Sequence, residues 1–199
     1  GSGTAQGSMS LVGSPSYGGQ ARQFVTQFMN AGDERYSVVF GDDPAVTNFV
    51  WDGWIYLTRS VSKIANLEMD MNQVMANGQT VIYGFQCDGY SGTWDYSMNA
   101  GTPESPDGRW VHTNSQCNVQ NWGINRWHHV QVAYSRDDAG NVTYQSVWLD
   151  GAQSQVNATV SSAYALGWGP VLLTNFQVDG KGSSGSSTVY LDDLTVYRW

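Results

Sequence analysis

The stretch "WHHVQVAYSRDDAGNVTYQSVWLD", from Trp127 to Asp150, contains the pattern of two β-strands and the turn between them. Apolar residues stand at every second position of its first half, at Val130, Val132 and Tyr134. A period of two places successive side chains on opposite faces of a strand. The segment "DDAGN" then supplies the Asp, Gly and Asn residues that tight turns favour. The stretch therefore predicts an antiparallel hairpin with one face in a hydrophobic core.

The same alternation recurs along the chain, and helical periodicity is hard to find. Twelve strands are predicted, at 21–29, 34–40, 48–58, 64–73, 80–88, 92–97, 109–113, 127–136, 141–150, 153–160, 171–179 and 187–197. Many short strands separated by polar turns pack as two antiparallel sheets. We therefore expect an all-β fold, a two-sheet antiparallel β-sandwich of the jelly-roll type. Residues 9–199 are expected to form one domain, and the Gly/Ser-rich residues 1–8 a disordered, linker-like or tag-like end.

The charge balance excludes several classes of partner. The 199 residues include only nine Lys plus Arg and carry a formal net charge of -8. So few cations supply no basic stripe for nucleic acid or for an anionic membrane surface, and neither is expected as a partner. No apolar run is long enough to span a membrane. A neutral sugar fits this charge better than an anionic polysaccharide, and we expect a monomer.

The chain has two cysteines, Cys87 and Cys117, which enclose a segment rich in Gly, Pro, Asp and Ser. A disulfide between them would close that loop and contribute on the order of 3 kcal/mol. Such a bond indicates an oxidising compartment, so we expect a secreted protein in an extracellular or periplasmic location. The alternative is two unrelated buried thiols.

The stretch "NLEMDMNQ", residues 66–73, divides into two faces. Its apolar side carries Leu67, Met69 and Met71, and its polar side carries Asn66, Glu68, Asp70 and Asn72. Other strands show the same division, and a loop tryptophan stands beside them. The further members of the predicted sugar-binding face are Gln86, Asp88, Trp94, His129, Gln131, Trp148, Asn175, Gln177 and Asp179. Amides, carboxylates and Trp suit sugar hydroxyls and sugar faces, whereas the alternative is an ordinary solvent-facing sheet.

The segment Arg126–Gly151 resembles the concanavalin A-like and laminin-G-like jelly-roll superfamily. It carries Trp-His-His-Val, then a strand, a turn and a strand that ends in Asp-Gly. The closing "VYLDDLTVYRW", residues 189–199, is similar to the last strand of such domains. The resemblance implies a concanavalin A-like fold. It does not select a function, because the superfamily includes lectins, carbohydrate-binding modules, glycoside hydrolases and polysaccharide lyases.

Retaining glucanases of this superfamily carry Glu-x-Asp-x-Glu or Glu-x-Asp-x-x-Glu on one strand. The resemblance assigns Glu68 to the nucleophile and Asp70 to the assisting carboxylate, the two catalytic residues if the chain is an enzyme. Asn72 or Gln73 stands where the acid/base should be. An amide cannot give up and take back a proton, and the loss of a general acid costs about 10² to 10⁴ in rate. A hydrolase would therefore need a second carboxylate from another strand.

Jelly rolls of this group often hold a structural Ca²⁺, for which the acidic turns offer Asp42 and Asp193 as candidate ligands. No other cofactor is expected. We predict a secreted, non-catalytic domain that binds a neutral polysaccharide or oligosaccharide on a concave polar and aromatic sheet face. A glucanase-like glycoside hydrolase that uses Glu68 and a second carboxylate is one alternative. A protein-binding laminin-G-like adhesion module is the other.

Overall fold

The computed structural model describes residues 3–199, and this range contains fifteen β-strands. They are β1 Thr4–Val12, β2 Ala21–Met29, β3 Asp33–Val39, β4 Asn48–Leu57, β5 Ile64–Val74, β6 Thr80–Tyr83, β7 Phe85–Asp88, β8 Thr93–Asn99, β9 Gly108–Gln116, β10 Trp127–Arg136, β11 Asn141–Leu149, β12 Ala152–Ser161, β13 Ala163–Tyr164, β14 Leu172–Gly180 and β15 Ser184–Arg198. Short 3-10 helices occupy Arg59–Lys63 and Val119–Asn121. Among the described residues, no helix has the length and apolar character that crossing a membrane requires. The prediction of an all-β fold is confirmed.

The strands form two antiparallel sheets. Sheet I has the order β1-β2-β15-β4-β10-β11-β12. In sheet II, β3 pairs with β14, β14 with β5, and β5 with both β6 and β7. The sheet continues from β7 to β8 and β9, and β13 pairs with β6. The predicted two-sheet sandwich is therefore confirmed.

The hydrophobic core lies between the sheets and is built by alternation. Every second residue of β4 is buried, so that this strand contributes Phe49, Trp51, Ile55 and Leu57. From sheet II, β5 contributes Leu67, Met69 and Met71. Full burial of one such side chain stabilises the fold by about 1.5 to 3 kcal/mol. The side chains between these positions must therefore face outward, and this fixes the outer face of sheet II.

The structure differs from the sequence prediction at two places that concern strands. Residues 4–8, predicted to belong to a disordered end, lie in β1, which pairs along its length with β2. Most β1 side chains are exposed, so this edge strand has no apolar alternation to reveal it. Residues 1 and 2 lie outside the described range. The predicted strand 80–88 is divided at Gly84 into β6 and β7.

The predicted disulfide is confirmed: Cys87 of β7 is bonded to Cys117, which directly follows β9. Both residues are buried, and the bond joins chain positions 30 residues apart. The enclosed segment contains β8 and β9. The disulfide therefore ties the outer strands of sheet II back to β7.

Reduction of this disulfide should lower the free energy of unfolding by about 3 kcal/mol, because it releases loop-closure entropy to the unfolded chain. Urea unfolding followed by tryptophan fluorescence, with and without reductant, measures the effect. The double variant Cys87→Ala/Cys117→Ala is the control and should not respond to reductant. Equal unfolding midpoints for the wild-type protein under both conditions would contradict the expectation.

Candidate functional site

A groove of about 510 Å³ crosses the outer face of sheet II from β3 to β9. Its floor follows the register of the strands. One row of Cα partners runs across six strands through Arg35, Gln177, Glu68, Gln86, Asp95 and His112. The row on one side contains Asp33, Asp179, Asn66 and Asp88. The row on the other side contains Ser37, Asn175, Asp70, Gly84, Ser97 and Trp110.

Three carboxyl groups meet at the centre of the groove. The Gln177 Nε2 group donates to Glu68 Oε1 at 2.7 Å and to Asp179 Oδ1 at 2.9 Å. The carboxyl of Glu68 also lies within the electrostatic influence of the Asp70 and Asp179 carboxyls. Arg35 Nε donates to Gln177 Oε1 at 2.9 Å, which orients the amide toward the acids. We call Glu68, Asp70 and Asp179 the carboxyl cluster.

Burial raises the pKa of each member of the carboxyl cluster. For Glu68, burial is the largest cause, and the charges of Asp70 and Asp179 raise the pKa further, against a smaller lowering by Arg35. Burial raises the pKa of Asp70 to about 7, although the hydrogen bond from the Phe85 N–H opposes it. Burial raises the pKa of Asp179 to about 6. Burial and the mutual repulsion of the three carboxyls thus favour their protonated forms.

Asp70 also accepts a hydrogen bond at the break between β6 and β7. Its Oδ1 accepts the Phe85 N–H at 3.0 Å, and Phe85 is the first residue after the break. At Gly84 an added Cβ would lie 2.5 Å from Ser97 Oγ and 3.3 Å from the Trp110 ring. A side chain at this position would therefore fill the groove floor beside Trp110.

Two aromatic side chains stand at the groove. Trp110 of β9 lies near Gly84 and is 38% exposed. Tyr90 follows β7 and is 62% exposed. Both line the groove among the polar rows. An exposed aromatic ring offers the flat apolar surface on which the C–H face of a sugar can stack.

The structure brings together seven of the residues predicted to bind sugar. The groove is lined by Asn66, Glu68, Asp70, Gln86, Asp88, Gln177 and Asp179. Asn72 and Asn175 lie on the same face but are buried outside the groove lining. Asn175 Oδ1 accepts from Ser37 Oγ at 2.6 Å. Gln73 is fully buried and donates to the backbone oxygens of Asp43 and Val46, so it has no place in the groove.

The structure does not support the prediction that Trp94 is a stacking platform for sugar. It is 2% exposed and stacks on Phe85 with ring centroids 5.5 Å apart, inside the core. Its strand, β8, alternates so that Trp94 faces inward while Asp95 belongs to the outer row. A sugar in the groove cannot reach it.

His129, Gln131 and Trp148 lie on sheet I, not on the groove face. His129 Nε2 and Gln131 Nε2 each lie 2.7 Å from an oxygen of the Asp52 carboxylate. Trp148 is opposite Gln131 in the strand register. The alternation correctly assigned them to one polar strand face, but it does not specify which sheet a strand joins.

The structure does not confirm the predicted calcium ligands. Among the described residues, neither Asp42 nor Asp193 belongs to a group of three acidic or histidine ligands. The neighbouring Asp192 carboxylate accepts the backbone N–H groups of Tyr17 at 2.6 Å and Gly18 at 3.0 Å. The Asp192 carboxylate therefore holds the loop after β1 in place.

Several groove residues were not among the residues predicted to bind sugar: Asp33, Arg35, Tyr90, Ser97 and Trp110. Alternation within "DERYS" does place Asp33 and Arg35 on one face, and alternation within "RWVHT" places Trp110 with His112. The missing information was the position of β3 and β9 in sheet II. Both strands are distant in sequence from β5, on which the prediction was centred.

Comparison with known proteins shows the fold. No protein-family model matches the sequence, and no curated protein resembles it. A solved structure of a cellulose-induced protein, Cip1, is similar with a TM-score of 0.55 and 15% identity, over 98% of this chain and 90% of that one. Another, described as carbohydrate-binding modules of promiscuous specificity from the β-sandwich superfamily, has a TM-score of 0.51 and 10% identity, over 98% of this chain and 55% of that one. The β-sandwich fold of the jelly-roll type is thereby confirmed.

The carboxyl cluster makes stability depend on pH. The pKa values of Asp70, about 7, and Asp179, about 6, lie above the ordinary 3.8, so the native state binds more protons than the unfolded state. The resulting stability is fully present below about pH 4 and is lost as the pH rises through 6 and 7. We expect a melting temperature roughly 5 °C lower at pH 8 than at pH 5.

Differential scanning calorimetry across this range measures the effect. Asp70→Asn should flatten the profile, since the amide oxygen can still accept the Phe85 N–H. Glu104→Gln, which removes an exposed carboxyl in the loop before β9, should leave the profile unchanged. A profile for Asp70→Asn that matches the wild type would refute the role of the cluster.

Proposed function

We propose that this chain is a carbohydrate-binding domain that holds a segment of a neutral polysaccharide in the groove of sheet II. The observation that carries the proposal is the floor of amide and carboxyl groups with the half-exposed Trp110 ring beside it. The Cys87–Cys117 disulfide supports an oxidising, extracellular setting, where polysaccharides are found.

The charge of the groove favours a neutral ligand. Arg35 is the one cation among the described lining residues, and its Nε group is held by Gln177. The groove is also lined by five carboxyl groups, those of Asp33, Glu68, Asp70, Asp88 and Asp179. Like charges in a cleft repel an anion before contact. A polyuronate or sulfated glycan is therefore a poor ligand for this floor.

The polar atoms of the floor match the hydroxyl groups of a sugar. Each hydroxyl donates one hydrogen bond and accepts others. Carboxyl oxygens of Asp88 and Asp179 accept such bonds, and amide groups such as that of Asn66 donate or accept. Six strands lie side by side under the groove, which corresponds to a span of roughly 24 Å at the usual strand spacing. This span suits an oligosaccharide segment better than a single sugar.

A glycoside hydrolase is the second candidate, because burial raises the pKa values of the neighbouring groove carboxyls of Glu68, Asp70 and Asp179. A raised carboxyl pKa is a property of general acids in such enzymes. Retaining enzymes hold their two carboxyls about 5 Å apart and inverting enzymes hold them farther apart, so that a glycosidic bond or water fits between. On β5 itself the position of the acid/base holds Asn72 or Gln73, so a hydrolase would need a carboxyl from another strand of the groove, such as Asp88 of β7.

Removal of the Trp110 ring should weaken binding. Trp110→Ala is expected to raise the Kd for a neutral glucan oligosaccharide roughly fivefold, since a stacking contact contributes about 1 kcal/mol. Isothermal titration calorimetry with an oligosaccharide series measures it. Trp199→Ala is the matched control, because Trp199 is exposed and lies outside the groove lining. Equal losses in the two variants would exclude the groove as the binding site.

The charge of the ligand provides a second test. Affinity electrophoresis in gels that contain neutral glucans, xylan, mannan, alginate or polygalacturonate should retard the protein only with neutral polymers. Repulsion from the groove predicts that the two anionic polymers leave its mobility unchanged. Retardation by alginate alone would overturn the assignment of a neutral ligand.

Glu68→Gln separates binding from hydrolysis. A glutamine retains an oxygen that accepts from Gln177 and removes the carboxyl that lies next to Asp70 on β5. We expect wild type and variant to bind the same oligosaccharide with similar Kd and to release no reducing sugar. Release by the wild type that disappears in Glu68→Gln would instead establish a hydrolase.

A further inference from the structure

A second group of ligating side chains lies beside the carboxyl cluster. Asp88 of β7, Asp95 of β8 and His112 of β9 each present one ligand atom, and these atoms lie within 4.8 Å of one another. No other described group of three acidic, cysteine or histidine side chains meets this spacing. Three consecutive strands therefore supply one ligand each.

The side chains are held in place for ligation. Asp95 is fully buried, and its Oδ1 accepts from Thr93 Oγ1 at 2.6 Å, while its Oδ2 lies 2.8 Å from His112 Nδ1. Asp88 Oδ1 accepts the backbone N–H of Tyr90 at 2.7 Å. Hydrogen bonds to ligating carboxylates from surrounding groups fix their orientation in metal sites. One carboxyl oxygen of Asp88 and one of Asp95 lie within 4.8 Å of each other, and a bound cation would offset the repulsion between the two carboxylates.

Gln86 supplies an independent observation. It is 3% exposed, and its Oε1 is buried without a hydrogen-bond partner. In the register of β7 and β8 it lies directly opposite Asp95, on the same face and two residues before Asp88. Buried polar atoms in native structures are nearly always satisfied by protein, water or an ion. The unpaired Gln86 oxygen on the same face as Asp95 therefore leaves a place that a bound cation or a hydrogen-bond donor can fill.

We propose that Asp88, Asp95 and His112 bind a divalent transition-metal cation, for which Zn²⁺ is the best fit. One imidazole nitrogen and two carboxylate oxygens are a ligand set that Zn²⁺ accepts, whereas Ca²⁺ takes oxygen ligands. Three protein ligands leave at least one coordination position for water or another oxygen ligand. The site lies at the β7–β9 end of the groove, since Asp88 lines the groove and His112 is on the same strand and face as Trp110. It is distinct from the Asp42 and Asp193 site that the sequence predicted.

Isothermal titration of untagged protein with Zn²⁺ alone, without sugar, tests the proposal. We expect one Zn²⁺ per chain and a rise in melting temperature with Zn²⁺, because binding to the native state stabilises it. His112→Ala should weaken Zn²⁺ binding by at least about tenfold, as the loss of even an outer supporting partner costs that much. His112 is exposed, so this variant should fold. Asp88→Asn is a second variant and should show a similar loss.

The matched control is His129→Gln, because His129 forms an Asp–His pair with Asp52 that belongs to no described group of three ligands. Its Zn²⁺ affinity should equal that of the wild type. Ca²⁺ should bind the wild type more weakly than Zn²⁺ does. Wild-type protein that binds no Zn²⁺, or that loses affinity equally with His129→Gln and His112→Ala, would overturn the proposal. Because sugar is absent, this outcome is independent of whether the groove binds a polysaccharide.

Discussion

The groove depends on hydrogen bonds by which core side chains hold β5 in place. Two side chains from the interior donate to consecutive carbonyls of this strand: Tyr134 Oη–H to Met69 O, and Thr174 Oγ1 to Asp70 O at 2.7 Å. Trp51 of sheet I donates in turn to Thr174 Oγ1 at 3.2 Å, so the hydrogen bonds join the two sheets. A buried carbonyl that lost its donor would cost about 1 to 3 kcal/mol. With Met69 held inward in this way, strand geometry directs Glu68 and Asp70 outward.

Asp70 has a structural role that explains why its pKa is raised. The division of the strand at Gly84 gives the groove its floor, and the Asp70 carboxylate accepts the Phe85 N–H at the point of division. Burial raises the pKa of Asp70, and the charge of Asp70 in turn raises the pKa of Glu68. Asp70, the second acid of the Glu-x-Asp pattern on β5, thus has a structural role in the sheet.

Sequence periodicity predicted the faces of individual strands well and their positions in the sandwich poorly. It placed Glu68, Gln86 and Gln177 on outward faces, and the structure aligns these three in one row. It grouped His129 with them because alternation is identical in both sheets, whereas only pairing partners distinguish the sheets. Trp94 was assigned to the groove for another reason. The strand that contains it was predicted, at 92–97, but its inward and outward faces were not distinguished, and Trp94 faces inward and packs on Phe85. To predict the row that contains Trp110, one would have to know that β9 pairs with β8 and that β8 is joined to β5 through β7.

The arrangement of charge along the groove gives its two ends different chemistry. At the centre, Gln177 donates to both Glu68 and Asp179, so its amide hydrogens reduce the repulsion between these carboxyls. At the β9 end, Asp95 is paired with His112, whose imidazole can serve as a donor or as a metal ligand. The centre of the floor therefore relies on hydrogen bonds from within the protein, whereas the β9 end offers ligands for a cation. The floor presents oriented acceptors and donors to uncharged hydroxyl groups, with Trp110 as the apolar surface beside them.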